Sequence, residues 1–414
     1  MHCYSKLSLL ALASVASIAS ARPSSLDTRG AANEACTNGK AIYITSNTAQ
    51  NSIVAVPIAQ NGSLIVNQGS STATGGSGAS GITASSGAAA GPDSLFSQSA
   101  IALAGQYLFA VNPGSNTVSM LAIDAQDATK LTAVGSPATL PGEFPNTVAA
   151  SDKYKIVCVG LTGATAGVAC APYSSAGIGA VDALRPFALN QTTPPGGPLN
   201  TVSQVFFSGD QTTLYVTVKG DPTVNNTGFL AAFPVQNTRS SCHAAASVAS
   251  TGVTSSPSGT AVLFGSEVIK GSTDLFVTDA SFGGAVLSVD ATGKASTVGK
   301  GVIDGQAATC WVAISPATNT AFVADVGVDR LVEMSVTNAT ILGSPIDLTA
   351  ISNGDPGLTD LRAAGSFVYA LSPGNGTTDA SVVVVNALTR AAVEHVSVAS
   401  LGLTKSAQGM AILV

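Results

Sequence analysis

Apolar positions along this chain fall into short runs, and the runs recur in a fixed order. A polar residue leads into an apolar run that ends in small residues. A turn follows, then a second apolar run. The pattern reads QSAIALAGQYLFAVN from Gln98, NTVAASDKYKIVCVG from Asn146 and TVSQVFFSGDQTTLYVTVKG from Thr201. It returns as GTAVLFGSEVIKGSTDLFVTD from Gly259, TCWVAISPATNTAFVAD from Thr309 and LTDLRAAGSFVYALS from Leu358. Each pair is followed by a third run, such as NTVSMLAID, GGAVLSVD or ASVVVVNA, and usually by a weaker fourth. The starts lie about 45 to 60 residues apart. Four strands in a unit of that length predict one blade of a β-propeller.

Six such units cover residues 98 to about 400. The ends supply a seventh. KAIYITSN, NSIVAVPI and GSLIVN give three N-terminal strands that lack a first, and the closing AQGMAILV is a lone strand of first-strand character. Pairing residues 406–414 with 40–46 would close the ring and remove the open sheet edges that invite aggregation. The expected fold is all-β: a single seven-bladed propeller over residues 40–414, with blade 1 built from both termini. A parallel β-solenoid would show shorter and stricter repeats.

Residues 68–92 stand apart. They carry no charge and almost no large side chain. A segment of that kind buries too little apolar area to offset its ordering entropy, so an exposed flexible loop is expected. Residues 22–39 are expected to form a loose tail, and the Pro-rich stretch 190–200 to connect blades 3 and 4.

Composition narrows the class. Hydrophobic residues make up 45% of the chain and charged ones only 10%, with 43 glycines. Neither a disordered chain nor a helical bundle has that balance. The net charge of -6, with 17 basic residues spread thinly, argues against a nucleic-acid partner.

An address precedes the repeats. Lys6 is followed by LSLLALASVASIASA over residues 7–21, an apolar stretch ending in an Ala19-Ser20-Ala21 cleavage pattern. It is too short to span a bilayer, and no membrane span is expected elsewhere. Five N-x-S/T sequons, at Asn61, Asn190, Asn225, Asn338 and Asn375, fit an exported glycoprotein. The expectation is a secreted, extracellular monomer that begins near Arg22. Cys3 leaves with the signal, so Cys36, Cys158, Cys170, Cys242 and Cys310 remain. Cys158 and Cys170 sit in adjoining runs, where a hairpin would bring them together as a disulfide; two buried thiols are the alternative. Cys242 with Cys310 is a weaker second pair. No C-x-x-C pair signals zinc.

The stretches VSQVFFSGDQTTLYVTVKG (202–220), GQAATCWVAISPATNTAFVADVG (305–327) and SAQGMAILV (406–414) resemble the lactonase-type seven-bladed propellers. These include 6-phosphogluconolactonase and fungal 3-carboxymuconate cyclase-like proteins. The resemblance spans nearly the whole mature chain in blade rhythm, and its motifs are structural. It implies a small lactone or carboxylate handled at the channel mouth. It also implies, for the muconate-lactonising members, a His, Arg and carboxylate set that has no counterpart here.

First-strand residues expected at that mouth are Glu143, Asn146, Gln204, Gln306, Asp360 and Gln408. Second-to-third strand turns add Asn112, Lys219, Asp279 and Asp325, with Arg185 leaning in from the blade 3–4 connection and Arg362 as a further base. A polar cup binding a small hydroxylated or anionic molecule is one reading; a polar channel whose groups satisfy each other is the plainer one. His243 and His395 both fall on outer strands, which removes the usual neutral-pH base. Asn146, Asp279 and Asp325 would be the ligands of a calcium ion if one polarised a lactone carbonyl; Asp and Asn are also common in turns for backbone reasons. Trp311 reads as a core or channel plug rather than a sugar platform. No G-x-S-x-G elbow and no phosphate-cradling loop occurs. Two function classes remain: a lactonase or muconate-cyclising enzyme, and a non-catalytic glycoprotein that binds a small molecule or a protein partner at the wall or cell surface.

Overall fold

The computed structural model describes residues 38–239, 244–352 and 354–414. The proposed signal 1–21, nearly all of the tail, Cys36, Cys242 and His243 lie outside the described residues.

Seven antiparallel sheets of four or five strands follow one another along the chain. Blade 1 runs outward from Met410–Leu413 through Ala41–Thr45 and Ser52–Pro57 to Ser70–Ala73. The innermost strands of blades 2 to 7 are Ile101–Ala104, Pro145–Ser151, Val202–Phe207, Leu263–Val268, Thr309–Ser315 and Leu361–Ala364. Each innermost strand touches the next, and that of blade 7 touches Met410–Leu413. The ring therefore closes, with Ile44 opposite Met410, Ile42 opposite Ile412 and Ala41 opposite Leu413.

The apolar runs are continuous rather than alternating because both faces of every blade are covered. Successive side chains of a strand point to opposite faces. In blade 1, Ile42 and Ile44 pack with Tyr369, Val382 and Val384 of blade 7, while Tyr43 packs with Leu108 and Leu121 of blade 2. Among the described residues seven such buried clusters occur, one between each pair of neighbouring blades. Within blade 3, Cys158 and Cys170 are directly opposed on adjacent strands, with Cα atoms 4.0 Å apart, and form a disulfide. Cys310 is a free, buried thiol.

Two expectations of the sequence change here. GSLIVN is not the outer strand of blade 1: Leu64 makes a lone bridge to Ile58, and Val66–Gln68 is a 3-10 turn. The outer strand is Ser70–Ala73, inside the stretch read as loop, because a half-exposed edge strand needs no large side chain to pair with Ser52–Ala55. The rest of that stretch is also engaged. Ile82–Thr83 pairs in parallel with Gly196–Gly197 of the blade 3–4 connection.

Candidate functional site

One segment, residues 93–99, bonds to the inner strands of five blades, which places it on the axis of the ring. Ser94, Leu95, Phe96, Ser97 and Gln98 are buried. Their receptors come from irregular first strands. In blades 3 to 6 the pairing of first and second strands slips near its start, at Pro145/Thr147, Val202/Gln204, Leu263/Ser266 and Thr309/Val312. Such bulges re-aim side chains and free backbone groups. Asn146 thereby donates from Nδ2 to Leu95 O at 3.1 Å, and Trp311 from Nε1 to Ser97 O at 3.1 Å. Ser203 O accepts from Gln98 N at 2.9 Å. Gln98 reaches blade 6, exchanging side-chain bonds with Val312 N and O. Gln408, from blade 1, donates to Ser97 O and Asp93 Oδ1 and accepts from Leu95 N and Ser94 Oγ. Gln204 and Arg362 both donate to Ser99 Oγ.

The remaining sequence-predicted residues are brought close to this axis in part. Asp279 accepts from the amides of Ala261, Val262 and Ser281. Asp325 accepts from those of Ala307 and Ala308 and pairs with Arg330 at 2.8 Å. Asp360 accepts from Leu361 N and Met410 N and pairs with Arg362 at 3.0 Å. Asn112 is held by Asn51, Thr74, Thr117 and Ser119. Gln306 bonds Ala280 O and Thr309 N. Glu143 accepts from Thr193 Oγ1 in an exposed bond. Arg185 does not lean over the mouth. It is bonded to Asp182, Val248 O and Ala249 O, where it ties the outer parts of blades 3 and 4 together. His395, on the outer strand of blade 7, lies 3.0 Å from Asp355.

These bonds bear on calcium. The Asp279 and Asp325 carboxylates are saturated by amides and an arginine, and Asn146 turns its amide nitrogen to two carbonyls, leaving one buried oxygen unpartnered. Among the described residues no group of three or more His, Cys, Asp or Glu side chains converges as a metal cage. The residues do not fit the ion.

Beside the axial segment lies a cavity of about 330 Å³. Asp93, Phe96, Gly197 to Leu199, Lys219, Phe264, Cys310 and Trp311 are among the residues that line it. Lys219 follows the second strand of blade 4. Its side chain is 1% exposed, its Nζ lies 4.4 Å from the centre of the Phe264 ring, and it donates to Phe96 O. Burial pulls the Lys219 ammonium down to about 8, although the Asp93 charge opposes this. Burial pushes the Asp93 carboxyl up to about 6, against the pull of Lys219 and the bond from Gln408. Burial likewise drives the Cys310 thiol well up, so it is neutral at physiological pH. An acid and a base with opposed shifts thus share one apolar cavity, which makes it the candidate functional site.

Of this group, only Lys219 was among the binding candidates and Trp311 was read as a plug. Asp93, Phe96, Phe264 and Cys310 were missed. Asp93 did leave a signal: it is the only charged residue between Lys40 and Asp124.

No protein-family model matches the sequence, and no curated protein matches it either. Solved structures do. The periplasmic gluconolactonase of Pseudomonas aeruginosa aligns at a TM-score of 0.58 and 13% identity over 90% of this chain and 99% of that one. A candidate 6-phosphogluconolactonase from Bacteroides uniformis aligns at a TM-score of 0.55 and 14% identity over 91% of this chain and 100% of that one. At such identities the likeness speaks to architecture alone, and in architecture this chain is a seven-bladed β-propeller.

Proposed function

We propose that the protein hydrolyses a small lactone in the cavity between Asp93 and Lys219. The observation that carries this reading is the pair itself: a carboxyl near 6 and an amine near 8 lining one apolar cavity. Between those values both groups are charged. Asp93 would take the proton from a water molecule as its oxygen attacks the lactone carbonyl. The Lys219 ammonium would stabilise the oxyanion that forms, and in a site of low polarity such a charge acts strongly. Collapse breaks the ring C–O bond, and the alkoxide takes the proton back from Asp93. The product is a hydroxy acid, whose new carboxyl group then releases its remaining proton to solvent. The test is turnover on a lactone panel by wild type, Asp93→Asn and Lys219→Met. Loss of rate in both variants with retained folding supports the reading; unchanged rate in either overturns it.

A second reading is binding without turnover. It is favoured by the bond from Lys219 to Phe96 O, which engages the ammonium before any ligand arrives, and by the lack of a histidine among the cavity's lining residues. Export and glycosylation belong to the same proposal. The address at residues 7–21 supports secretion, and all five sequon asparagines are exposed. A mass decrease on treatment with an N-glycosidase tests it.

A further inference from the structure

Resting on the lactone reading above, we propose that the cavity selects neutral lactones with a hydrocarbon body and excludes polyhydroxylated and phosphorylated sugar lactones. The walls available to a ligand ring are Phe96, Leu199, Val262, Phe264, Trp311 and Val326. Three of the polar side chains nearby are already engaged, and the Thr83 hydroxyl is the other polar group of the lining. Trp311 Nε1 donates to Ser97 O, Lys219 Nζ to Phe96 O, and Asp93 Oδ1 accepts from Phe96 N and Gln408 Nε2. The thiol of Cys310 is at best a weak donor. A ring hydroxyl entering this space loses its water and finds few partners, which is costly.

Charge points the same way. No arginine lines the cavity, and its single cation shares the space with the Asp93 carboxyl. A phosphate is ordinarily held by several converging donors, arginine forks above all. Here it would meet one ammonium and one repelling carboxylate. Size is compatible with this: a cavity of about 330 Å³ suits a small lactone ring with a short alkyl arm. The chain thus has the propeller architecture of proteins named for sugar lactones, with a cavity of a different chemical character.

Trp311 is the only tryptophan of the chain and lines the cavity, so its fluorescence reports binding separately from turnover. The experiment titrates full-length protein with an alkyl δ-lactone, glucono-δ-lactone and 6-phosphogluconolactone, and measures hydrolysis of each. The alkyl lactone is expected to bind and turn over at least about tenfold better than the other two, since a hydrophobic pocket rejects an added hydroxyl by up to about a hundredfold. Val262→Thr, nearly isosteric, places a hydroxyl in the wall and should narrow the gap. If the sugar lactones are hydrolysed as well as the alkyl lactone, the selectivity is overturned while the hydrolase reading stands. If the alkyl lactone alone quenches Trp311 but none is hydrolysed, the hydrolase reading fails and the apolar selection stands. No quenching by any of the three overturns the selection.

Discussion

Lys219 Nζ donates a hydrogen bond to the main-chain carbonyl of Phe96, 123 residues earlier in the chain. That bond joins the axial segment to blade 4 and fixes one wall of the cavity. Phe96 is also hemmed by backbone: a Cβ placed on Gly81 or Gly197 would come within 2.3 or 2.4 Å of its ring. Gly197→Val should therefore push Phe96 from its seat. Overpacking of this kind costs roughly 1–3 kcal/mol, so the melting temperature should fall and Trp311 emission should shift to the red. An unchanged emission maximum would show that the segment tolerates the bulk.

The pH dependence of turnover follows from the same cavity. Asp93 works as a base only when ionised, above about 6. Lys219 helps only when protonated, below about 8. The kcat/KM profile should be a bell with limbs near those values. Asp93→Asn should abolish the acid limb with the activity, and Lys219→Arg should move the alkaline limb upward. A profile that rises steadily past pH 9 would contradict the assignment.

Glu267 predicts a pH effect on stability instead. Burial pushes its carboxyl up to about 7, only partly relieved by the amide of Ile314 and by Arg362 and worsened by Asp360. The folded protein thus holds a proton that the unfolded chain releases near 4.5. From about 4.5 to about 7 the folded state binds more protons, so this group's contribution to stability falls as pH rises. Glu267→Gln, which cannot ionise, should gain stability relative to wild type between pH 4.5 and pH 7.5 in urea unfolding. Parallel stability curves for the two proteins would refute this.

Closure of the ring rests on few residues. Met410 is fully buried and Ala411 nearly so, while Ile412 is half-buried and Val414 exposed. Removing residues 406–414 deletes the innermost strand of blade 1 and also Gln408, which makes four bonds to the axial segment. One fully buried aliphatic side chain contributes roughly 1.5–3 kcal/mol, and the lost ladder and glutamine bonds add to that. The truncated chain should unfold at a clearly lower temperature or aggregate through its opened edge. Wild-type melting behaviour would mean that the ring holds without this strand.

The sequence determined the ring. Strand periodicity is local: each blade is a run of neighbouring strands with both faces buried, so its apolar pattern survives in the linear order and repeats visibly. Even the closure through Met410–Leu413 was legible, because a unit with one strand too few and a lone strand at the other end can only be completed together. The site was legible only in part, through Lys219 and the axial groups Asn146, Gln204 and Gln408, and the rest was hidden for two physical reasons. Bulges at Asn146, Ser203 and Cys310–Trp311 turn side chains and carbonyls away from where strict alternation would put them. The axial segment gathers its partners from five blades, so Asp93 meets Lys219, Cys310 and Trp311 across sequence separations that leave no periodic trace. A lone carboxylate just beyond an uncharged stretch carries no pattern that marks it as a site residue. Only the tertiary structure, by burying it beside an amine and aromatic side chains, gave it a pKa near 6 and a chemical role to test.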